Sequence, residues 1–119
     1  MRTTDGVGRY GERIAAQHLS RAGYELLDRN WRCRWGELDL VARDGDCVVA
    51  VEVKTRRSTT AGHPFEAVTP AKLARLRRLL TEWMSAHETV SSHTIRVDVV
   101  AVLRPRRGPA VVEHLRGVS

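Results

Sequence analysis

Lysine, cysteine and aromatic residues are all scarce in this sequence, and each scarcity narrows what the chain does. Two cysteines, Cys33 and Cys47, form no C-x-x-C pair and have no histidine at ligand spacing, which argues against a structural zinc site and for reduced thiols. The five histidines are scattered over different predicted elements and add no metal motif. With one Phe, two Tyr and three Trp, recognition of single strands by serial base stacking is an unattractive reading. No apolar run approaches the roughly 18 residues of a membrane span, and the first residues lack the apolar centre of a secretion signal. The expectation is a soluble cytoplasmic protein with no membrane partner.

Basic residues are abundant. Of 20 Lys and Arg residues only Lys54 and Lys72 are lysine, and the net charge is +6. Such a balance favours a polyanionic partner, because cations that neutralise phosphates release condensed counterions. A chain so biased towards arginine keeps lysine where a compact ammonium, able to share or lose its proton, does what a forked guanidinium does not.

The 119 residues, 42% of them apolar, suit one packed domain over residues 1–119. Tyr10, Ile14, Ala15, Leu19 and Ala22 recur at helical spacing from Gly8 to Ala22, and Gly23 supplies a stop. The mixed stretch Tyr24 to Trp35 reads as a strand near a sheet edge. Glu37 to Arg43 and Cys47 to Thr55 flank Asp44-Gly45, which predicts a tight hairpin. The segment RRSTTAGHP, 56–64, reads as a loop beside the hairpin's end. Thr69 then caps a helix with Pro70 in its first turn, a stripe of Leu73, Leu76, Leu80, Trp83, Met84 and His87, and a basic face of Lys72, Arg75, Arg77 and Arg78. Ile95 to Leu103 and Val111 to Leu115 are two more strands. The order of elements implies an α/β domain, and the nearly unbroken apolar run Val48 to Val53 asks for cover on both sheet faces.

With Asp44-Gly45 as the turn, Asp39 faces Ala50 and Glu37 faces Glu52. Alternation then sets Glu37, Asp39, Glu52 and Lys54 on one surface, with Asp39 and Glu52 as diagonal neighbours. Crowded carboxylates need a positive group to offset their repulsion. A hard cation such as Mg²⁺ takes one or two carboxylates, here Asp39 and Glu52, with the Val53 carbonyl, and keeps several waters. Water on such an ion deprotonates more readily and attacks phosphorus, and Lys54 orients it or offsets the developing charge. An exposed salt bridge is the plain alternative for Glu-x-Lys on a strand. Arg56 and Arg57, next along the chain, and Lys72 and Arg75 are the candidate phosphate contacts; a solvated helix face is the alternative for the last two. Trp31 and Trp35 are candidates for an interface, whereas Trp83 fits the core.

These residues stand in three segments, GRYGERIAAQHLSRAGYELLDRNWR, GELDLVARDGDCVVAVEVKTR and IRVDVV, with a further stretch around Lys72. Together they resemble the YraN-like family of predicted endonucleases, which is remotely similar to archaeal Holliday junction resolvases. The resemblance covers most of the chain. It implies a restriction-endonuclease-like fold, a central mixed sheet flanked by helices, and a Mg²⁺- or Mn²⁺-dependent endonuclease that hydrolyses DNA, including branched DNA, often as a homodimer. Asp39, Glu52 and Lys54 match the superfamily's acid and acid-x-Lys pattern, and Glu12 matches by position a glutamate that the resolvase branch adds from the first helix. Leu38 stands where the superfamily frequently has proline. Glu37 matches a family position and is assigned as a supporting or alternative ligand. Asp98 either supports the site from an adjacent strand or pairs with Arg96. The competing function is a nuclease fold that binds nucleic acid or assembles with partners and hydrolyses nothing.

Overall fold

A computed structural model describes residues 6–57, 65, 68–87 and 94–118. The first helix, α1, spans Gly6–Arg21. It ends where glycine is required: Gly23 has φ 91°, its amide donates to the Ser20 carbonyl, and the Tyr24 amide donates back to Leu19. This paired closure satisfies carbonyls that the helix leaves unbonded. Strands β1 (Glu25–Cys33), β2 (Gly36–Asp44) and β3 (Cys47–Arg56) follow as an antiparallel meander, then α2 (Pro70–Ala86), β4 (Thr94–Leu103) and β5 (Val111–Leu115). The five strands form one mixed sheet in the order β1-β2-β3-β4-β5. Only β3 and β4 are parallel, and α2 is the crossover between them.

Each face of the sheet is covered by one helix, as the apolar β3 run requires. Val49 and Val51 of β3 join Ala15 and Leu19 of α1, whereas Val48 and Ala50 join Leu76, Leu80 and Trp83 of α2. Thr69 caps α2, its hydroxyl accepting from the Lys72 amide at 3.1 Å, and Pro70 opens the first turn. Trp83 is a core residue: its ring is buried against the sheet and its indole Nε1 donates to Asp28 at 2.8 Å. His87, expected in the apolar stripe, is the residue that ends the helix, and its ring stacks on Trp83.

The hairpin is shifted from the expected register. Asp44 pairs with Cys47, so Gly45 and Asp46 form the turn, and Ala50 faces Val41 rather than Asp39. Gly45 has φ 60° while Asp46 does not share the positive φ. That is the signature of a turn with glycine at its first central position, not of the Asp-Gly turn read from sequence. Because the shift is two residues, the side chains of the paired segment, Leu40 to Asp44 with Cys47 to Val51, keep their faces. The ladder ends at Leu40 and Val51, so Glu37, Asp39, Glu52 and Lys54 all lie beyond its last backbone pair. The expected pairing of Asp39 with Ala50 is thereby corrected, and Glu37 and Glu52 do not form a ladder pair.

A candidate metal-dependent site at a strand fork

The backbone ladder between β2 and β3 ends at Leu40 and Val51. Just beyond it, the Val53 amide donates to Oδ2 of Asp39 at 2.9 Å, so a side chain takes the place of a carbonyl where the strands part. β2 also coils here. Leu38 and Val41 both reach the α2 core while Leu40 reaches the α1 core, a spacing that strict alternation forbids. Across from this point, between the pairs Arg29 with Leu40 and Trp31 with Leu38, Asn30 of β1 has φ 53°.

The fork opens a cavity of about 330 Å³ between the sheet and α2, and Glu37, Asp39, Glu52, Val53, Lys54 and Lys72 are among the residues lining it. Asp39 and Glu52 are 8% and 7% exposed, so both carboxylates are largely withdrawn from water. Both lysines of the chain converge on one of them: Nζ of Lys72 lies 2.7 Å and Nζ of Lys54 3.4 Å from Oε2 of Glu52. Burial pushes the Glu52 carboxyl up, but hydrogen bonds with Lys72 and Asp39 and the two ammonium charges outweigh it and hold the group below its usual range. Burial pulls Lys72 down, and its bond to Glu52 reverses that and keeps the ammonium protonated. At this fork the two ammonium groups of Lys54 and Lys72 supply the positive charge beside Glu52.

The remaining expected residues are distributed unevenly. Glu37 lines the same cavity, yet its Oε2 lies 3.1 Å from Nε of Arg32, which ties it to β1. Arg75 is on the rim and donates to the Trp35 carbonyl at 3.4 Å; the 47% exposed ring of Trp35 has the guanidiniums of Arg34 and Arg78 against it. Arg56 and Arg57 follow Lys54 at the end of β3, and Arg57 lines a separate cavity. Glu12 is buried but lines a third recess, with Arg9, Arg13, Arg29, Asn30 and Leu40, rather than the one holding Glu52. Asp98 lies on the α1 face and does not reach the fork. It accepts from Tyr24, Arg96 and the Gly117 amide and bonds His114, a structural network of which the Arg96 pair is one part. Residues 58–64 of the expected loop lie outside the described residues.

Lys72, expected on a basic helix face as a candidate phosphate contact, has its ammonium 2.7 Å from Glu52, a contact that sequence reasoning did not foresee. Its signal was present in the composition, since it is the only lysine besides Lys54.

Asp39, Glu52 and the Val53 carbonyl are the groups at the fork that could hold a cation. Among the described residues no three His, Cys, Asp or Glu side chains are grouped as ligands, so a closed protein cage is absent. Mg²⁺ needs no cage; it takes one or two carboxylates and fills its octahedron with water. Asp39, Glu52 and the Val53 carbonyl would supply those protein ligands, with the Lys72 ammonium displaced from Glu52 as the ion binds.

The fold and the site define the class first: an α/β protein with a mixed five-stranded sheet, an acid-acid-lysine recess at the carboxyl end of its parallel strand pair, and no described helix long and apolar enough to cross a membrane. Within that class the chain belongs to the family described as "Uncharacterised protein family UPF0102", whose model matches residues 11–102. It is 62% identical to a UPF0102 protein of Kineococcus radiotolerans, an alignment that spans 100% of this chain and 98% of that one. A UPF0102 protein of Beutenbergia cavernae is 59% identical over the whole of both chains, and one of Streptomyces griseus 53% identical, again end to end.

Proposed function

We propose that this protein is a Mg²⁺- or Mn²⁺-dependent endonuclease of restriction-endonuclease-like fold that hydrolyses phosphodiester bonds in DNA, branched forms included. The observation that carries this reading is the convergence of both lysines on a buried glutamate that shares its recess with Asp39. When bound, a divalent cation supplies Lewis-acid stabilisation of phosphate charge and a more acidic water. The chain's own residues do the rest. Asp39 and Glu52 hold the ion, with the Val53 carbonyl beside them. Lys54 projects into the recess, where its ammonium orients a nucleophile and offsets negative charge as it builds on phosphorus-bound oxygens. α2 closes one wall, so the charged groups work in a region poor in water, where each is worth more. Glu12, in its own recess, then acts through the fold instead of binding the ion.

A second reading has an observation of its own. The 2.7 Å contact of Lys72 with Glu52 already satisfies that carboxylate internally, which suits a nuclease fold kept as a nucleic-acid-binding or assembly module. One panel separates the two: purified protein with Mn²⁺ is offered four-way junctions, flaps, single strands and supercoiled plasmid. Cleavage of at least one substrate that Asp39→Asn and Lys54→Ala abolish, with binding retained, establishes the enzyme. Uncut DNA throughout, or cleavage that survives both substitutions, rejects this site.

A further inference from the structure

The end of the sheet that carries Lys54 bears a second, separate feature. β3 and β4 stay paired to their last residues, Arg56 with Leu103, and the Arg104 amide extends the ladder by donating to the Arg56 carbonyl at 2.8 Å. Arg57 and Arg104 therefore leave adjacent parallel strands side by side. The chain then turns through Pro105 to Arg106, and these four residues line a cavity of about 310 Å³. Roughly ten water volumes fit such a space. From α1, the ring of Tyr10 lies 4.7 Å from the guanidinium carbon of Arg104, which holds that side chain against the fold.

Three guanidiniums around one cavity repel one another, and no carboxylate among the described residues pairs with them. Elsewhere the chain pairs its arginines readily, as Arg96 does with Asp44 and Asp98 and Arg32 with Glu37. A cluster left without a counter-charge by a protein that has acids available is built for an anion from outside. Guanidinium forks match phosphate oxygens in pairs of parallel hydrogen bonds, which makes the phosphate of a polymer a better fit than a halide or a lone carboxylate.

The distance to the fork gives the cavity its meaning. Arg57 follows Lys54 by three residues of extended chain, about 10 Å at the usual strand rise, or two to three nucleotides at the axial rise of one strand. We propose that Arg57, Arg104 and Arg106 clamp a non-reacting backbone phosphate of the bound nucleic acid, two to three nucleotides from the phosphate beside Lys54. The strand then crosses the carboxyl end of the sheet from α2 towards α1. This inference rests on the proposed function for the identity of its neighbour, but the clamp is testable without cleavage.

The test is fluorescence anisotropy of labelled single-stranded and four-way-junction DNA in EDTA, over a salt series, for wild type, Arg104→Gln/Arg106→Gln, Arg104→Lys/Arg106→Lys and a remote control, Arg21→Gln. The Gln pair is expected to bind at least about tenfold more weakly at low salt and to flatten the dependence of log K on log salt by about one to two phosphate contacts. The Lys pair should keep the slope and lose part of the affinity, and Arg21→Gln should resemble wild type; circular dichroism verifies folding of each exposed-residue variant. A Gln pair with unchanged slope overturns the clamp. So does equal competition by millimolar inorganic phosphate and by unlabelled DNA at the same phosphate concentration, which would mark a free-anion site. If the clamp holds and no substrate is cut with Mn²⁺, the endonuclease reading fails alone; if DNA is cut and the slopes are unchanged, the clamp fails alone.

Discussion

Nζ of Lys72 lies 2.7 Å from Oε2 of Glu52, nearer than Nζ of Lys54 at 3.4 Å, although Lys54 is on the same strand as Glu52 and Lys72 comes from a helix. A long-range ion pair thus dominates the local one, and it joins α2 to the centre of the sheet.

Removing that ammonium should show in stability. Lys72→Met leaves a buried carboxylate with a weaker partner, and a loss of about 1–3 kcal/mol is expected from urea unfolding without metal. If the recess takes a divalent cation, millimolar Mn²⁺ should raise the melting temperature of the variant more than that of wild type, since binding to the native state is what stabilises. Equal shifts for both proteins would refute a cation at Glu52.

Gly11 lets α1 approach β3 closely. A Cβ built there would overlap the Thr55 hydroxyl and crowd its Cβ, which is fixed to the strand next to Lys54. Gly11→Ala should therefore cost about 1–3 kcal/mol despite alanine's better helix propensity, as overpacking does. Unfolding midpoints for Gly11→Ala and Gly11→Ala/Thr55→Ala, which removes the overlapping hydroxyl, can be compared; a stabilised single variant contradicts the close approach.

Asn30 adopts φ 53° opposite the coiled part of β2. Asparagine tolerates that region better than most residues, whereas a β-branched residue does not. Asn30→Val should destabilise the fold by roughly 1–2 kcal/mol more than Asn30→Gly, which carries no Cβ penalty. Equal losses in chemical denaturation would show that the side chain, not the backbone, sets the cost.

Acid and alkaline limits follow from one network. Burial raises Asp98, but His114, Arg96, Gly117 and Tyr24 together hold its carboxyl far below the usual range. A depressed carboxyl contributes stability that is present above the unfolded value, about 3.9, and lost as pH falls below it. Asp98→Asn should accordingly lower stability at pH 7 and flatten its decline in acid. Tyr24 moves the other way: burial first, then the bond to Asp98, push its phenol to about 12. The folded state then keeps a proton that the unfolded chain loses near 10, so stability should fall between pH 10 and about 12. Phenolate absorbance should show one of the two tyrosines ionising late, and a single transition near 10 for both would overturn the assignment.

Much of the fold was legible because its signals are local. Gly23 ended α1, Thr69-Pro70 began α2, and the nearly unbroken Val48 to Val53 run announced cover on both faces. The hairpin was found but misregistered, since Asp-Gly and Gly-Asp readings of DGD differ only in which residue takes positive φ. Despite that error Glu37, Asp39, Glu52 and Lys54 line one cavity, because a two-residue shift leaves the paired segment's faces unchanged up to the fork. What composition and spacing did not reveal is non-local: Lys72 seated on Glu52 through the packing of α2, Glu37 drawn to Arg32, and Glu12 held in a recess of its own.

The crossover has a consequence for how the protein matures. Glu52 emerges from the ribosome well before Lys72, and until the intervening chain folds back as α2 the two acids at the fork carry no tethered counter-charge from that helix. A nascent or truncated product ending before residue 70 thus has a meander without a finished pocket, and competence at this centre arises only on completion of the β3-α2-β4 unit.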